Sequence, residues 1–357
     1  MKKSNYKPGV LLFISLFIVS FTLSAQEVTK EFHKEFIAGA KTLEISNRYG
    51  DVVIQSWDKD QVVIDVKVTV ELSNKERAEK LLSYIDVQFS DNENTISAKT
   101  VIDDKFNFTG WGNSRKFSID YNIKMPVGTD LTLANIYGNT DIDELHGLLN
   151  LDIKYGNLTA GKLTRGKVKP HSILNLAYGK STIDEAGWLD LTIRYTGSTE
   201  ITKSQALLLD SKHSKLILGE TSSVVGESKY DNIRIESINN LVLENGYTET
   251  NIGLLTKKLH YNGSYGSFSV ESIPAGFESI DVETRYMGVR LGIEESASYQ
   301  LDAKVSYGGL KYNEDNFKNQ RRIVENNSNE VSGTVGKEES PSSKVNIVAS
   351  YGSVKLY

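Results

Sequence analysis

The sequence predicts an all-β fold, a β-solenoid with coils of about 20 residues. Three observations carry that expectation. A Tyr-Gly dipeptide returns at nearly even spacing, as in NIYGNTDID, IKYGNLTAG, LAYGKSTID and ASYGSVKLY. The segments on either side of it alternate apolar and polar residues with a period of two. The composition suits a ribbon with many turns, having 18 Tyr and 28 Gly against 5 Pro.

Residues 1–25 read as a signal peptide. Lys2, Lys3 and Lys7 precede an apolar run from Val10 to Leu23, and Ser24-Ala25-Gln26 offers a cleavage point. The run is 14 residues long, shorter than the roughly 20 a spanning helix needs, so no transmembrane segment is expected after its removal. Cleavage would take three positive charges away and move the net charge from −5 to −8. There is no Cys, so stability is expected from packing and hydrogen bonds alone, and a lipid-modified cysteine anchor is excluded. Charges of both signs are interspersed without a basic tract, which argues against a nucleic-acid partner.

Residues 26–130 form a β-rich N-terminal capping region that does not repeat. EVTKEFHKEF, KTLEISNRYGDVVIQSW and QVVIDVKVTVEL alternate as strands do. Ser73 and Glu76 have the spacing of a capping box ahead of KERAEKLLSYI, placing one helix over 74–84. IDVQFSDNENTISAKTVI reads as a hairpin turning at Asp91 to Asn94, and FNFTGWGNS as an aromatic loop.

Coils fill 131–312. Tyr137, Tyr155, Tyr178, Tyr195, Tyr230, Tyr247, Tyr265, Tyr286 and Tyr307 follow one another at near-constant steps, with His213 standing where a tyrosine would fall. Tyr49 and Tyr351 share the pattern outside the array. Leu151, Ile153 and Tyr155 have one parity, as do Leu191, Ile193 and Tyr195, and that parity predicts tyrosines on the inward face. Glycine follows because the corner is expected to need φ > 0. The rings should therefore pile into an internal structural ladder. Residues 313–343 are a polar loop or hairpin insertion, and 344–357 supply the last rung.

LEISNRYGDVVIQSWDKDQVVIDVKV (43–68), YNIKMPVGTDLTLANIYGNTDIDEL (121–145) and the Tyr-Gly coils to Tyr357 resemble the putative-adhesin β-helix family of unknown function, found in exported Bacteroidota proteins and related to the head GIN domain of putative autotransporter adhesins. The resemblance covers most of the chain beyond the signal. It implies a right-handed parallel β-helix outside the cytoplasm and no established enzymatic activity. The helix at 74–84 and the insertion at 313–343 depart from the family's simpler pattern.

Catalytic chemistry finds little support. Asp141, Asp143 and Glu144 could serve acid–base work or calcium, but Ile142 between them has core parity, which turns both aspartates to solvent. Asp184-Glu185 has the same solvated reading. The histidines at 33, 146, 171, 213 and 260 show no metal-ligand spacing, and no nucleophile elbow or phosphate loop occurs. No catalytic residue, metal or cofactor is assigned. Trp111 is the best candidate for ligand contact, while Trp57 and Trp188 fit packing roles. The sequence thus points to a non-enzymatic exported solenoid, adhesin-like or structural in the cell envelope, with a surface glycan or envelope protein as partner. The alternatives are a carbohydrate-active β-helix enzyme and a self-assembling envelope scaffold. Periplasm, outer membrane and exterior all remain open as locations.

Overall fold

A computed structural model describes residues 26–106 and 116–357. The proposed signal and Trp111 lie outside the described residues. Nearly every remaining segment is strand, and most neighbouring strands run parallel, as a β-solenoid requires. Each coil has an entry strand leading into the tyrosine corner and an exit strand leaving it. Entry strands stack from Thr95–Ile102 through Thr42–Arg48, Leu131–Ile136, Leu149–Lys154 and Ser172–Ala177. The stack continues through 189–194, 206–212, 223–229, 240–246, 258–264 and 279–285. Exit strands stack in parallel with equal regularity, from Lys116–Pro126 and Val52–Trp57 upward.

The middle coils show how sequence sets the bends. Between Ser198 and Lys212 the buried residues are Thr199, Ile201, Ser204, Leu207, Leu209 and Ser211. Alternation gives a spacing of two, but it widens to three across 202–203 and 205–206. Ladder pairing skips residues 202 and 205 at those places. An extra residue moves successive side chains to the other face, so the ribbon bends there and keeps one apolar interior. The buried leucines, isoleucines and valines of successive coils form one continuous cluster. Each is worth about 1.5–3 kcal/mol against exposure.

Both ends close with antiparallel strands. At the N-terminal end, Ile85–Asp91 covers Thr95–Ile102, and Gln61–Leu72 covers Lys116–Pro126 and carries Gln26–Ile37 on its far side. The helix spans Lys75–Leu82. Its N-cap is Asn74, whose side chain accepts from Arg77 N at 3.0 Å, in place of the expected Ser73. Asn is the equal of Ser as a cap, and one residue of shift sets which one is used. At the other end, Ser328–Val335 runs antiparallel to Tyr299–Ser306 and pairs in turn with Phe317–Glu325. Such strands terminate an edge that would otherwise template further pairing.

Sequence order and spatial order part at the C-terminal end. Ser343–Ser350 pairs parallel with 279–285 on one side and with Tyr299–Ser306 on the other. The last rung in sequence therefore lies between the Tyr286 and Tyr307 coils.

Candidate functional site: the tyrosine ladder

The corner begins with an unusual backbone. All eleven corner tyrosines and His213 have φ between 53° and 66°. This left-handed conformation costs an L-residue with a Cβ about 1–2 kcal/mol. It also redirects the side chain. Strand parity, extended from Ile153 to Tyr155, puts the ring inside. The turn to positive φ swings it out, and Tyr137 through Tyr351 are 39–58 % exposed. The expected internal ladder is thus corrected to an external one, and Tyr49, the half-buried first ring, belongs to it.

The glycine after the tyrosine has a different task from the one expected. It is needed for space, since the positive φ belongs to the tyrosine. A Cβ on Gly138 would lie 1.8 Å from Gly50 O, and one on Gly156 would lie 1.8 Å from Gly138 O. Successive coils touch backbone to backbone there. In the middle of the solenoid the same position holds Thr196, Ser214, Asp231 and Thr248, all buried. Ser214 N donates to Asp231 Oδ1 at 2.6 Å, and Ser228 Oγ donates to Asp231 Oδ2 at 2.6 Å. Thr196 N donates to Ser214 Oγ at 3.2 Å, and Asp231 N to Thr248 Oγ1 at 3.2 Å. Hydrogen bonding satisfies this buried carboxylate, as burial requires.

The rings form one unbroken stack in the order Tyr49, Tyr137, Tyr155, Tyr178, Tyr195, His213, Tyr230, Tyr247, Tyr265, Tyr286, Tyr351 and Tyr307. Adjacent centroids are 4.7–5.3 Å apart and adjacent planes lie within 18° of parallel. That spacing is the inter-strand distance. Tyr49 also meets Phe117, which packs edge-on against Phe106. Every internal ring has a neighbour on both faces, so solvent meets ring edges and hydroxyls. Among the described residues, no ladder hydroxyl forms a hydrogen bond to another protein group.

Two columns flank the rings. The residue before the ring is Arg48, Lys154, Arg194, Lys212, Lys229 or Arg285 in six of the twelve coils. Arg48 lies over the Tyr49 ring at 5.3 Å and Arg285 over Tyr286 at 5.2 Å, both cation–π contacts. Lys154 pairs with Asp152 at 2.9 Å, Arg194 with Asp210, and Lys229 with Glu227 at 3.9 Å. Beyond the corner, Asn139 N donates to Asp51 Oδ1 at 2.7 Å, Asn157 N to Asn139 Oδ1 at 3.1 Å and Lys180 N to Asn157 Oδ1 at 3.0 Å. These side chains tie one coil to the next.

The other sequence candidates are dispersed. Ile142 is buried, while Asp141 and Asp143 face solvent. Glu144 holds His146 at 2.7 Å. Asp184 is exposed. Trp57 Nε1 donates to Gln61 O at 2.8 Å under Lys59, and Trp188 contacts His171 at 5.3 Å. A recess of about 560 Å³ on the N-terminal cap is lined by Glu31, His33, Asp51, Asp65 and Asp120, among others. Its aspartates are engaged. Asp51 accepts from Asn139 N, Asp120 accepts from Asp51 N and Ser118 Oγ, and Asp65 lies 2.5 Å from His33 Nδ1. Hydrogen bonds that the ring donates to Asp65, and then to Glu35, push the exposed His33 imidazole above its usual pKa. Among the described residues, no group of three or more His, Asp or Glu side chains could hold a metal ion, and no helix is long and apolar enough to cross a membrane.

No family model and no curated protein matches the sequence. Solved structures with loose similarity include a putative cell adhesion protein from Clostridium sporogenes, with 13 % identity, coverage of 92 % of this chain and 99 % of the other, and a TM-score of 0.19. A putative adhesin from Parabacteroides merdae has 9 % identity, 92 % and 96 % coverage, and a TM-score of 0.29. A putative lipid binding protein from Parabacteroides distasonis has 11 % identity, 93 % and 96 % coverage, and a TM-score of 0.26. Superpositions this loose carry no argument about what the chain does.

Proposed function

We propose that the chain is an exported, non-enzymatic interaction protein, adhesin-like in the cell envelope, and that the tyrosine ladder is its contact face. One observation carries the reading. Twelve half-exposed aromatic side chains occupy a conformation that Gly or Asn would adopt with less strain. Each left-handed corner costs about 1–2 kcal/mol, whereas each ring–ring contact returns about 0.5–1.5 kcal/mol. The two nearly cancel, so stability alone gives weak reason to keep tyrosine. A straight row of hydroxyls and ring edges gives a better one. Many weak contacts to an extended partner add through avidity, and a surface glycan or envelope protein is such a partner. The signal-like sequence of residues 1–25 supports export to the periplasm, the outer membrane or beyond.

The test is a binding screen of the purified protein against glycans and envelope fractions, repeated with Tyr155, Tyr195, Tyr230 and Tyr265 changed together to Asn. Asn tolerates left-handed φ, so the fold should persist by circular dichroism and thermal melting. Binding should fall by at least about tenfold. Binding retained in a folded quadruple variant would remove the ladder from the interaction.

A further inference from the structure

The ladder is uneven in charge, and the unevenness is local. Resting on the reading above, we propose that its middle, around His213, binds the acidic groups of an anionic polysaccharide, carboxylate or sulfate.

Only between Tyr178 and Tyr230 do both flanks of the ladder carry cations. On the entry side, Arg194, Lys212 and Lys229 are register partners on consecutive strands. On the exit side, Lys180 and Lys215 follow their rings by two residues. The stem of Lys180 runs over Gly197, with its carbons 3.5–3.6 Å from where a Cβ would stand. Glycine there leaves room for the lysine to lie toward the next coil. Among the described residues, Lys180, Lys212 and Lys215 have no carboxylate within ion-pair distance. On the surface, only Asp210 and Glu227 answer the five cations, through Arg194 and Lys229. The chain as a whole has a net charge of −5, so this is a positive island on an acidic protein.

Like charges directly opposite one another on paired strands are destabilising. A row of three is therefore a cost that ligand binding would explain. The competing explanation is the buried Asp231 carboxylate at the same corner. Its oxygens are already met by Ser214 N and Ser228 Oγ, which leaves the lysines without an evident structural task. Nucleic acid is a poorer fit, because bases stack on open aromatic faces and here each ring face is covered by the next ring. Ring edges, phenol hydroxyls and ammonium groups suit a polymer rich in hydroxyls and acidic groups.

The experiment titrates the purified protein with polygalacturonate, dextran sulfate, neutral dextran and polyphosphate at two salt concentrations. One or both acidic polysaccharides should bind at least about tenfold tighter than dextran and weaken with salt. Tighter binding by polygalacturonate assigns carboxylate, and tighter binding by dextran sulfate assigns sulfate. Changing Lys180, Lys212 and Lys215 together to Gln should weaken binding about tenfold or more with no loss of melting temperature. The same three changed to Arg should retain binding. Changing Lys258, Lys304 and Lys355 to Gln removes equal charge elsewhere and should leave binding unaltered. The proposal is overturned by equal binding of polyphosphate, by equal weakening in the distant triple variant, or by destabilisation in the Gln variant that the Arg variant repairs without restoring binding. Binding of neutral glycans alone overturns it too, while leaving the ladder as a contact face.

Discussion

Two stretches of the same ladder solve one packing problem in opposite ways. From Tyr49 to Tyr178 the corner rests on glycine, and the coils meet backbone to backbone. From Tyr195 to Tyr247 it rests on Thr196, Ser214, Asp231 and Thr248, whose side chains fill the interior, those of Ser214, Asp231 and Thr248 accepting from the backbone N–H of Thr196, Ser214 and Asp231 in turn. The residue two before the ring varies independently, being Asn47, Asn135, Ile153 and Leu176 in the first stretch and Ile193, Ser211, Ser228 and Asn245 in the second. The ring spacing hardly differs between the stretches, with Tyr155–Tyr178 at 4.7 Å and His213–Tyr230 at 4.8 Å. The surface is held constant while the support beneath it varies. That is the pattern expected when the surface is what matters.

The sharpest way to break this comparison is at the floor. Gly156→Ala should cost more than about 3 kcal/mol, because its Cβ would sit 1.8 Å from backbone that cannot yield. Ser214→Ala in the other stretch should cost less, about 1–3 kcal/mol, since it removes the acceptor of Thr196 N and the donor to Lys212 O. Chemical denaturation of the two variants measures the difference, and similar losses would show that the floors are not distinct.

A smaller effect should appear at the rings. Tyr178→Ala should cost about 1–2 kcal/mol through lost stacking, less than the roughly 3–5 kcal/mol a buried aromatic would imply. Tyr178→Gly should be more stable than Tyr178→Ala by about 1 kcal/mol, since only glycine relieves the left-handed strain. The opposite ranking would remove strain from the account.

The smallest effect concerns the tyrosines buried inside the coils. Burial pushes the hydroxyls of Tyr121, Tyr261 and Tyr299 up to about 12. These three groups ionise near pH 10 in the unfolded chain and only near 12 in the folded one. Stability is therefore complete below pH 10 and declines as pH rises toward 12. At pH 10 each such tyrosine should cost about 0.4 kcal/mol, a loss that thermal melts of the native protein and Tyr121→Phe can resolve.

Much of this architecture was legible in the sequence. Periodicity identified the corner residues, including His213 as a tyrosine equivalent, and the polar stretch 313–343 read as a loop or hairpin insertion. The direction of the rings was not legible, because parity holds only while the backbone stays extended and Tyr155 leaves that region one residue after the strand ends. Nor was the position of Ser343–Ser350, since sequence order carries no mark of which coils it would enter. The cationic column had a visible signal: Arg or Lys precedes the ring at residues 48, 154, 194, 212, 229 and 285. A search restricted to catalytic and metal motifs passes over it. The Asp231 network was hidden, because Tyr-Asp at 230–231 looks like a variant turn until its neighbours on adjacent coils are known.

The placement of Ser343–Ser350 also constrains assembly. The Tyr307 coil reaches the rest of the solenoid's ladder only through this late segment, with Tyr351 wedged between Tyr286 and Tyr307. A chain emerging from its N-terminus can stack its earlier coils one by one, but this end must wait for a keystone that arrives after the hairpin has been made.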